Sequence, residues 1–201
     1  MSRGSRRALL GGIAAAVGAT PLVAPLGRAA AEGALPTPEQ LRELELRRAE
    51  SLLLHRKVEL GGLRLLRDGV PARVPTERPV ARLLILHLWS VECRPCVEEF
   101  PILRRITDAL HDLPHVKTIL VTETLDLESL RRFMGEHRGD LPRVDHYQCV
   151  DDRLRGSIQN RAQPLTLFLD AVGVTRQAFL GSLKQRRSEF ADAIQRLSRA
   201  L

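Results

Sequence analysis

Two apolar runs of strand length, RLLILHLW at residues 82–89 and HVKTILVT at 115–122, flank a helical pattern. A run without polar alternation suits a strand buried on both faces, and such strands belong to sheets covered by helices on both sides. Between them Phe100, Leu103, Ile106 and Leu110 recur at spacings of three or four, which predicts a helix from Val97 to about His111. Strand, helix, strand is the unit of a parallel pair and places the chain in the α/β class.

The rest of the chain extends this frame. LDLESLRRFMGEHRG (125–139) is predicted to be a helix and HYQCV (146–150) a short strand. PLTLFLD (164–170) and VTRQAFL (174–180) form a hairpin across Ala171-Val172-Gly173, and SEFADAIQRLSRAL closes the chain as an amphipathic helix. Upstream, Asp68-Gly69 joins LRLLR to VPARV as a two-residue hairpin turn, and Pro75 and Pro79 bracket a loop. Thr37-Pro38-Glu39-Gln40 is a helix start with a capping box, and the helix is expected to reach about Lys57 on a stripe of Leu41, Leu44 and Leu52, with Gly61-Gly62 breaking the chain. The sum is a mixed central sheet with helices on both faces, plus an extra N-terminal helix and hairpin.

Residues 1–31 have a basic start, an Ala- and Gly-rich apolar run and Ala29-Ala30-Ala31, the layout of an export signal. Ser5-Arg6-Arg7-Ala8-Leu9-Leu10 is similar to a twin-arginine pattern. A general secretory signal that holds two adjacent arginines is the alternative; a retained membrane anchor is disfavoured, because Pro21, Pro25 and several glycines interrupt a run barely long enough to span. The organisation expected is a signal at 1–31, a helical extension at 32–57 and one domain at 58–201, acting outside the cytoplasm, where disulfide chemistry is permitted. The formal charge of +7 is partly the signal's: without Arg3, Arg6, Arg7 and Arg28 there remain 27 basic and 24 acidic residues, the two signs interspersed. That excludes the basic stripe of a nucleic-acid binder. Nothing in the sequence sets the oligomeric state.

Chemistry concentrates in HLWSVECRPCVEEFPIL, residues 87–103. Cys93 falls in the turn after a buried strand and Cys96 in the first turn of the next helix. There the helix dipole and unpaired N–H groups favour a thiolate. Cys93 would attack a disulfide and Cys96, one turn on, would resolve the mixed disulfide. Pro95 suits an opening helical turn. Zinc sites use the same spacing, so a metallochaperone-like Cu- or Zn-binding module remains a second reading, with His146 and Cys149 as further ligands. Residues three apart on a strand point to opposite faces, which argues against that set, and no metal ligands are assigned. Cys149 is expected to be a small buried side chain.

The run C-x-x-C-x-x-E-x-P-x-L, with Trp89 before it and Pro164 opening a strand downstream, resembles the TlpA/ResA-like branch of the thioredoxin superfamily, over residues 58–200. The resemblance implies a thioredoxin-like fold and an exported, often membrane-tethered thiol–disulfide oxidoreductase. It needs no cofactor beyond the Cys93–Cys96 disulfide, acts on protein thiols and disulfides as a reductant, and draws on a membrane electron donor. It further implies a cis Pro164 against the cysteines, Gln163 as a backbone edge for substrate, and Glu99 near the thiols. The excess length of 112–152 would be the family's inserted helix and strand. Where thioredoxin has Asp and its relatives often Asn, this chain has His87, a candidate acceptor for the Cys96 proton. Glu92 and Arg94 push the Cys93 thiol in opposite directions. Trp89 would pack beside the site where Arg94, Pro95 and Gln163 meet substrate.

Overall fold

The computed structural model describes residues 35–61, 63–74 and 82–200. The signal at 1–31, the Pro75–Pro79 loop and Gly62 lie outside the described residues. Strand β3, Leu83–Trp89, is buried along its whole length except at Leu84, as a run without polar alternation requires. Strand β4, Val116–Thr122, lies parallel to it in the register Leu83↔Val116 to Trp89↔Thr122, and helix α2, Arg94–Leu110, makes the crossover. On the other side β6, Leu165–Asp170, runs antiparallel, pairing Leu88 with Leu165.

Beyond β4 lie β5, Asp145–Cys149, and the hairpin of β1, Leu65–Arg67, and β2, Val70–Ala72; beyond β6 lies β7, Thr175–Leu180. The seven strands are ordered β2-β1-β5-β4-β3-β6-β7, part parallel and part antiparallel. Asp68 and Gly69 turn the first hairpin with φ of 55° and 83°, as its two-residue loop demands. At Gly173, φ is 84° and a Cβ would come within 2.9 Å of the Val58 carbonyl oxygen, so only glycine fits that hairpin without strain.

The pleat divides the core into two layers. Leu86, Leu88, Val121 and Leu167 face a cluster with Leu53 behind α1, Pro38–Ser51, and Leu154 of α4, Arg153–Ile158. Ile85, Trp89, Leu120 and Phe168 face the opposite cluster, built with Phe100 of α2, Leu130 of α3, Leu127–Glu136, and Phe190 of α5, Arg187–Ala200. Thr37–Leu201 is one compact unit; of the separate unit Met1–Pro36 only residues 35 and 36 are described. No helix among the described residues is long and apolar enough to cross a membrane.

Two expectations need correction. Helix α1 has its capping box, Thr37 N–H to Gln40 Oε1 at 2.8 Å and Gln40 N–H to Thr37 Oγ1 at 3.2 Å, but it stops at Ser51 rather than near Lys57. The chain leaves the helix because it is recruited to the sheet: His55 N–H bonds Thr175 O and Thr175 N–H bonds Arg56 O, both at 2.8 Å. The anticipated stripe of Leu41, Leu44 and Leu52 is exposed; Leu46, Ala49 and Leu53 make the packing face. The second correction is α4, absent from the sequence reading because six residues with Gly156 in their midst carry too little periodicity.

Helix α1 is fastened by a buried carboxylate. Glu50 accepts from Leu180 N–H at the β7 edge at 2.7 Å and from the buried Arg186, whose Nη2 lies 3.0 Å from Glu50 Oε2. Replacing Glu50 with Ala leaves a backbone N–H and much of a guanidinium unpaired, and we expect a loss of about 3 kcal/mol in urea unfolding. An unchanged midpoint would mean that α1 contributes nothing to the domain.

Candidate active site

Three backbone features bring the cysteines to the end of β3. Glu123 N–H bonds Trp89 O at 3.1 Å, Val91 N–H bonds Thr124 Oγ1 at 3.0 Å, and Cys93 N–H bonds Ser90 O at 3.2 Å. The turn after the strand is thus tied to the end of β4. Cys93 is the N-cap of α2, which starts three residues earlier than the apolar periodicity indicates, because Arg94 and Pro95 form its first turn. Cys93 and Cys96 are joined as a disulfide with Cα atoms 5.3 Å apart. The two sulfurs are not equivalent: Cys93 is half-buried, whereas Cys96 is fully buried, so an incoming thiol or disulfide meets Cys93 first. Exposed Arg94 turns to Glu98 at 2.8 Å, and Glu98 also holds Lys184 at 2.7 Å. Those hydrogen bonds, Lys184's foremost, keep the Glu98 carboxyl below its usual range.

The β3–β6 register carries Pro164 to the same end of the sheet, one residue beyond the Leu88↔Leu165 pair. The Gln163–Pro164 peptide bond is cis, and the Pro164 carbonyl accepts from Gly181 N–H at 2.9 Å. Half-buried Gln163 donates from Nε2 to Glu123 Oε2 at 2.7 Å, and Arg155 of α4 grips the same carboxylate with two donors. A cavity of about 390 Å³ lies beside Gln163, walled by Glu123, Cys149, Arg155 and Arg161.

Behind the disulfide the central strand holds a buried polar pair. His87 shares the face of Ile85 and Trp89, and Glu99 stands one turn after Cys96 on the buried side of α2. Neither is exposed at all, and His87 Nε2 lies 3.5 Å from Glu99 Oε1. Nδ1 of His87 is 2.9 Å from Thr166 Oγ1, directly opposite on β6. Oε2 of Glu99 accepts from Leu183 N–H at 2.7 Å. Burial raises the Glu99 carboxyl to about 7, against the lowering effect of bonds from Leu183 and Ser182. Burial, with a smaller push from His146, lowers the His87 imidazole to about 3, so it is neutral at ordinary pH.

Trp89 is packed inside, its ring 5.0 Å edge-on from Phe100 and 5.6 Å from Phe133. Cys149 points into the α1/α4 layer, away from Cys96, and burial raises its thiol. His146 lies on the opposite face of β5, so the His–Cys pair of the metal reading does not converge with the cysteines. Among the described residues no group of three His, Cys, Asp or Glu side chains could hold a metal ion. Four contributors escaped the sequence reading: Thr166, Glu123, Arg155 and the Ser182–Leu183 turn. Each reaches its partner across at least 32 residues, and no local motif marks such a meeting.

No model of a known protein family matches the sequence, and no curated protein matches it. Solved structures do. A Chlorobium tepidum protein assigned as a thiol:disulfide interchange protein DsbE is 12% identical, with a TM-score of 0.59 over 72% of this chain and 99% of that one. A thioredoxin-like protein from Porphyromonas gingivalis gives 0.55 at 12% identity, over 73% and 94%. The chain has a thioredoxin-like fold. A third structure, of a secreted Mycobacterium tuberculosis disulfide oxidoreductase described as homologous to E. coli DsbE, gives 0.51 at 17% identity, over 71% and 97%. At such identities the likeness is one of fold; the resemblance of the CxxC run to the TlpA/ResA-like branch agrees with it.

Proposed function

We propose that this chain is an exported thiol–disulfide oxidoreductase that reduces disulfides in protein substrates and is itself re-reduced by a membrane electron donor. The observation that carries the reading is the asymmetric Cys93–Cys96 pair at a helix N-terminus, one sulfur reachable and the other buried. The thiol:disulfide interchange and disulfide oxidoreductase assignments of the similar Chlorobium and Mycobacterium structures support it, and export rests on the N-terminal sequence.

The geometry supports the following reaction. In the dithiol form the Cys93 thiolate attacks one sulfur of a substrate disulfide and expels the other as a thiolate. The buried Cys96 thiol then loses its proton and attacks Cys93. This releases the second substrate thiol and leaves the Cys93–Cys96 disulfide, two electrons having passed to the substrate. Glu99, one helical turn from Cys96, is the proton acceptor in its ionised state, with the neutral His87 ring 3.5 Å away. Gln163 and Pro164 offer the edge along which an extended substrate segment lies, with Arg94 and Pro95 on its other side.

Reduction rather than oxidation is favoured because little beyond the helix N-terminus stabilises a thiolate. Cys96 is wholly buried, and Arg94 spends its charge on Glu98.

The test is turbidimetric reduction of insulin by the purified protein with dithiothreitol. Acceleration over dithiothreitol alone is the expected result, and none would overturn the reading. Cys149→Ala is expected to retain the wild-type rate within about twofold, since the thiol is buried on the far layer and its removal is a small change of volume.

A further inference from the structure

A second cavity, of about 960 Å³, lies under α3 over the half of the sheet formed by β4, β5 and β1, and none of Cys93, Cys96 and Pro164 lines it. Its floor is unusually polar for a layer between sheet and helix: Thr122, His146 and Gln148 lie there beside Leu66, facing Leu130 and Met134 of α3. Three buried side-chain polar atoms without a partner belong to residues lining it, namely Trp89 Nε1, His146 Nδ1 and Gln148 Oε1. Trp89 and Gln148 are 1% and 3% exposed. A buried polar atom left unpaired is expensive, so three at one cavity point to an occupant that satisfies them.

Their chemistry is fixed by their other bonds. Gln148 Nε2 donates to the Thr124 and Leu125 carbonyls at 2.7 and 3.1 Å, so Oε1 is the free acceptor and the amide cannot be flipped. His146 Nε2–H donates to the Pro142 carbonyl at 2.9 Å, and burial keeps the ring neutral, so Nδ1 offers a lone pair. The Trp89 indole can only donate. At the mouth, Arg131 is held by the Asp68 carbonyl, whereas exposed Arg138 and Arg143 have no carboxylate partner among the described residues.

We propose that this cavity binds a small organic anion. Its apolar body lies against Leu130 and Met134, its N–H or O–H groups bond Gln148 Oε1 and His146 Nδ1, an acceptor meets Trp89 Nε1, and its carboxylate or sulfonate meets Arg138 and Arg143. The site uses neither cysteine and is independent of the redox reading.

Trp89 is the only tryptophan in the chain, so its emission reports on this cavity. The probe is anilinonaphthalene sulfonate, which joins an aromatic body, one N–H and a sulfonate. Titrated into the folded full chain at neutral pH, it is expected to quench Trp89 saturably at one site. Combined Arg138→Ala and Arg143→Ala substitutions should weaken that binding about fivefold, and added salt should weaken it in the wild type. Arg105→Ala, in the separate apolar groove between α2 and α5, should leave it unchanged. Quenching that never saturates, or that is equal in the double variant, would overturn the proposal and leave the cavity to water.

Discussion

A Cys96→Ser variant is expected to accumulate as a mixed disulfide with its substrate through Cys93, while a Cys93→Ser variant accumulates none. Cys96 is fully buried and Cys93 half-buried, so Cys93 is the sulfur that a protein disulfide can reach. Once that bond forms, release depends on a neighbour held one turn away. Well-oriented intramolecular groups act as if present at concentrations on the order of 10⁵ M or more, far above any millimolar external thiol. Resolution in Cys96→Ser should therefore slow by at least about a thousandfold, and insulin reduction should stop in both variants. Non-reducing electrophoresis followed by peptide mass mapping distinguishes the outcomes. A trapped adduct on Cys96 or Cys149 would contradict the assigned order of attack.

The second large effect is expected at Glu99. Its substitution by Gln keeps the acceptor for Leu183 N–H but removes the base, and a positioned base is worth about a hundredfold or more in proton transfer. In the wild type, resolution of the mixed disulfide should quicken as pH rises through about 7, because only the ionised carboxylate can take the Cys96 proton. In Glu99→Gln that rise should vanish. A slow variant that keeps the wild-type pH profile would assign the proton to another group.

Stability provides an independent reading of the same residue. Folded Glu99 keeps its proton up to about pH 7, whereas the unfolded chain releases it near the ordinary value of 4.5. The folded state binds the extra proton in that window, so this group's contribution to stability falls as pH climbs through it and stays low above it. His87 acts in the opposite sense. Its folded value of about 3 lies below the ordinary 6.5, and its contribution is lost as pH falls from about 6.5 towards 3. Glu99→Gln should therefore be more stable than wild type at pH 8, by about 1 to 3 kcal/mol in urea unfolding, and should retain the acid-side loss that belongs to His87.

The parts of this molecule that are legible in its sequence are those written in adjacent residues. The burial of β3 follows from LLILHLW, the turn at Asp68-Gly69 from its two-residue chemistry, and the CxxC at a helix start from the strand before it. Illegible parts depend on meetings across the fold. His87 is a polar letter in an apolar strand, and nothing near it announces Glu99, twelve residues on, or Thr166, across the sheet. The end of α1 is not legible because helical periodicity cannot register competition from β7 for the backbone of His55 and Arg56. Cys149 is the small buried side chain expected of a free cysteine in a short strand, and alternation along β5 sends it away from the face of His146.

The most direct test of the central claim is a redox equilibrium. The protein is brought to balance in thiol–disulfide buffers of graded potential, the thiols are alkylated, and the modified cysteines are counted by mass under denaturing conditions. One two-electron transition is expected, in which Cys93 and Cys96 change together while Cys149 stays a thiol throughout, with a midpoint near the thioredoxin value of about −270 mV. A midpoint near about −120 mV would contradict the reductant assignment. Cysteines 93 and 96 that fail to pair at any potential would contradict the redox function itself.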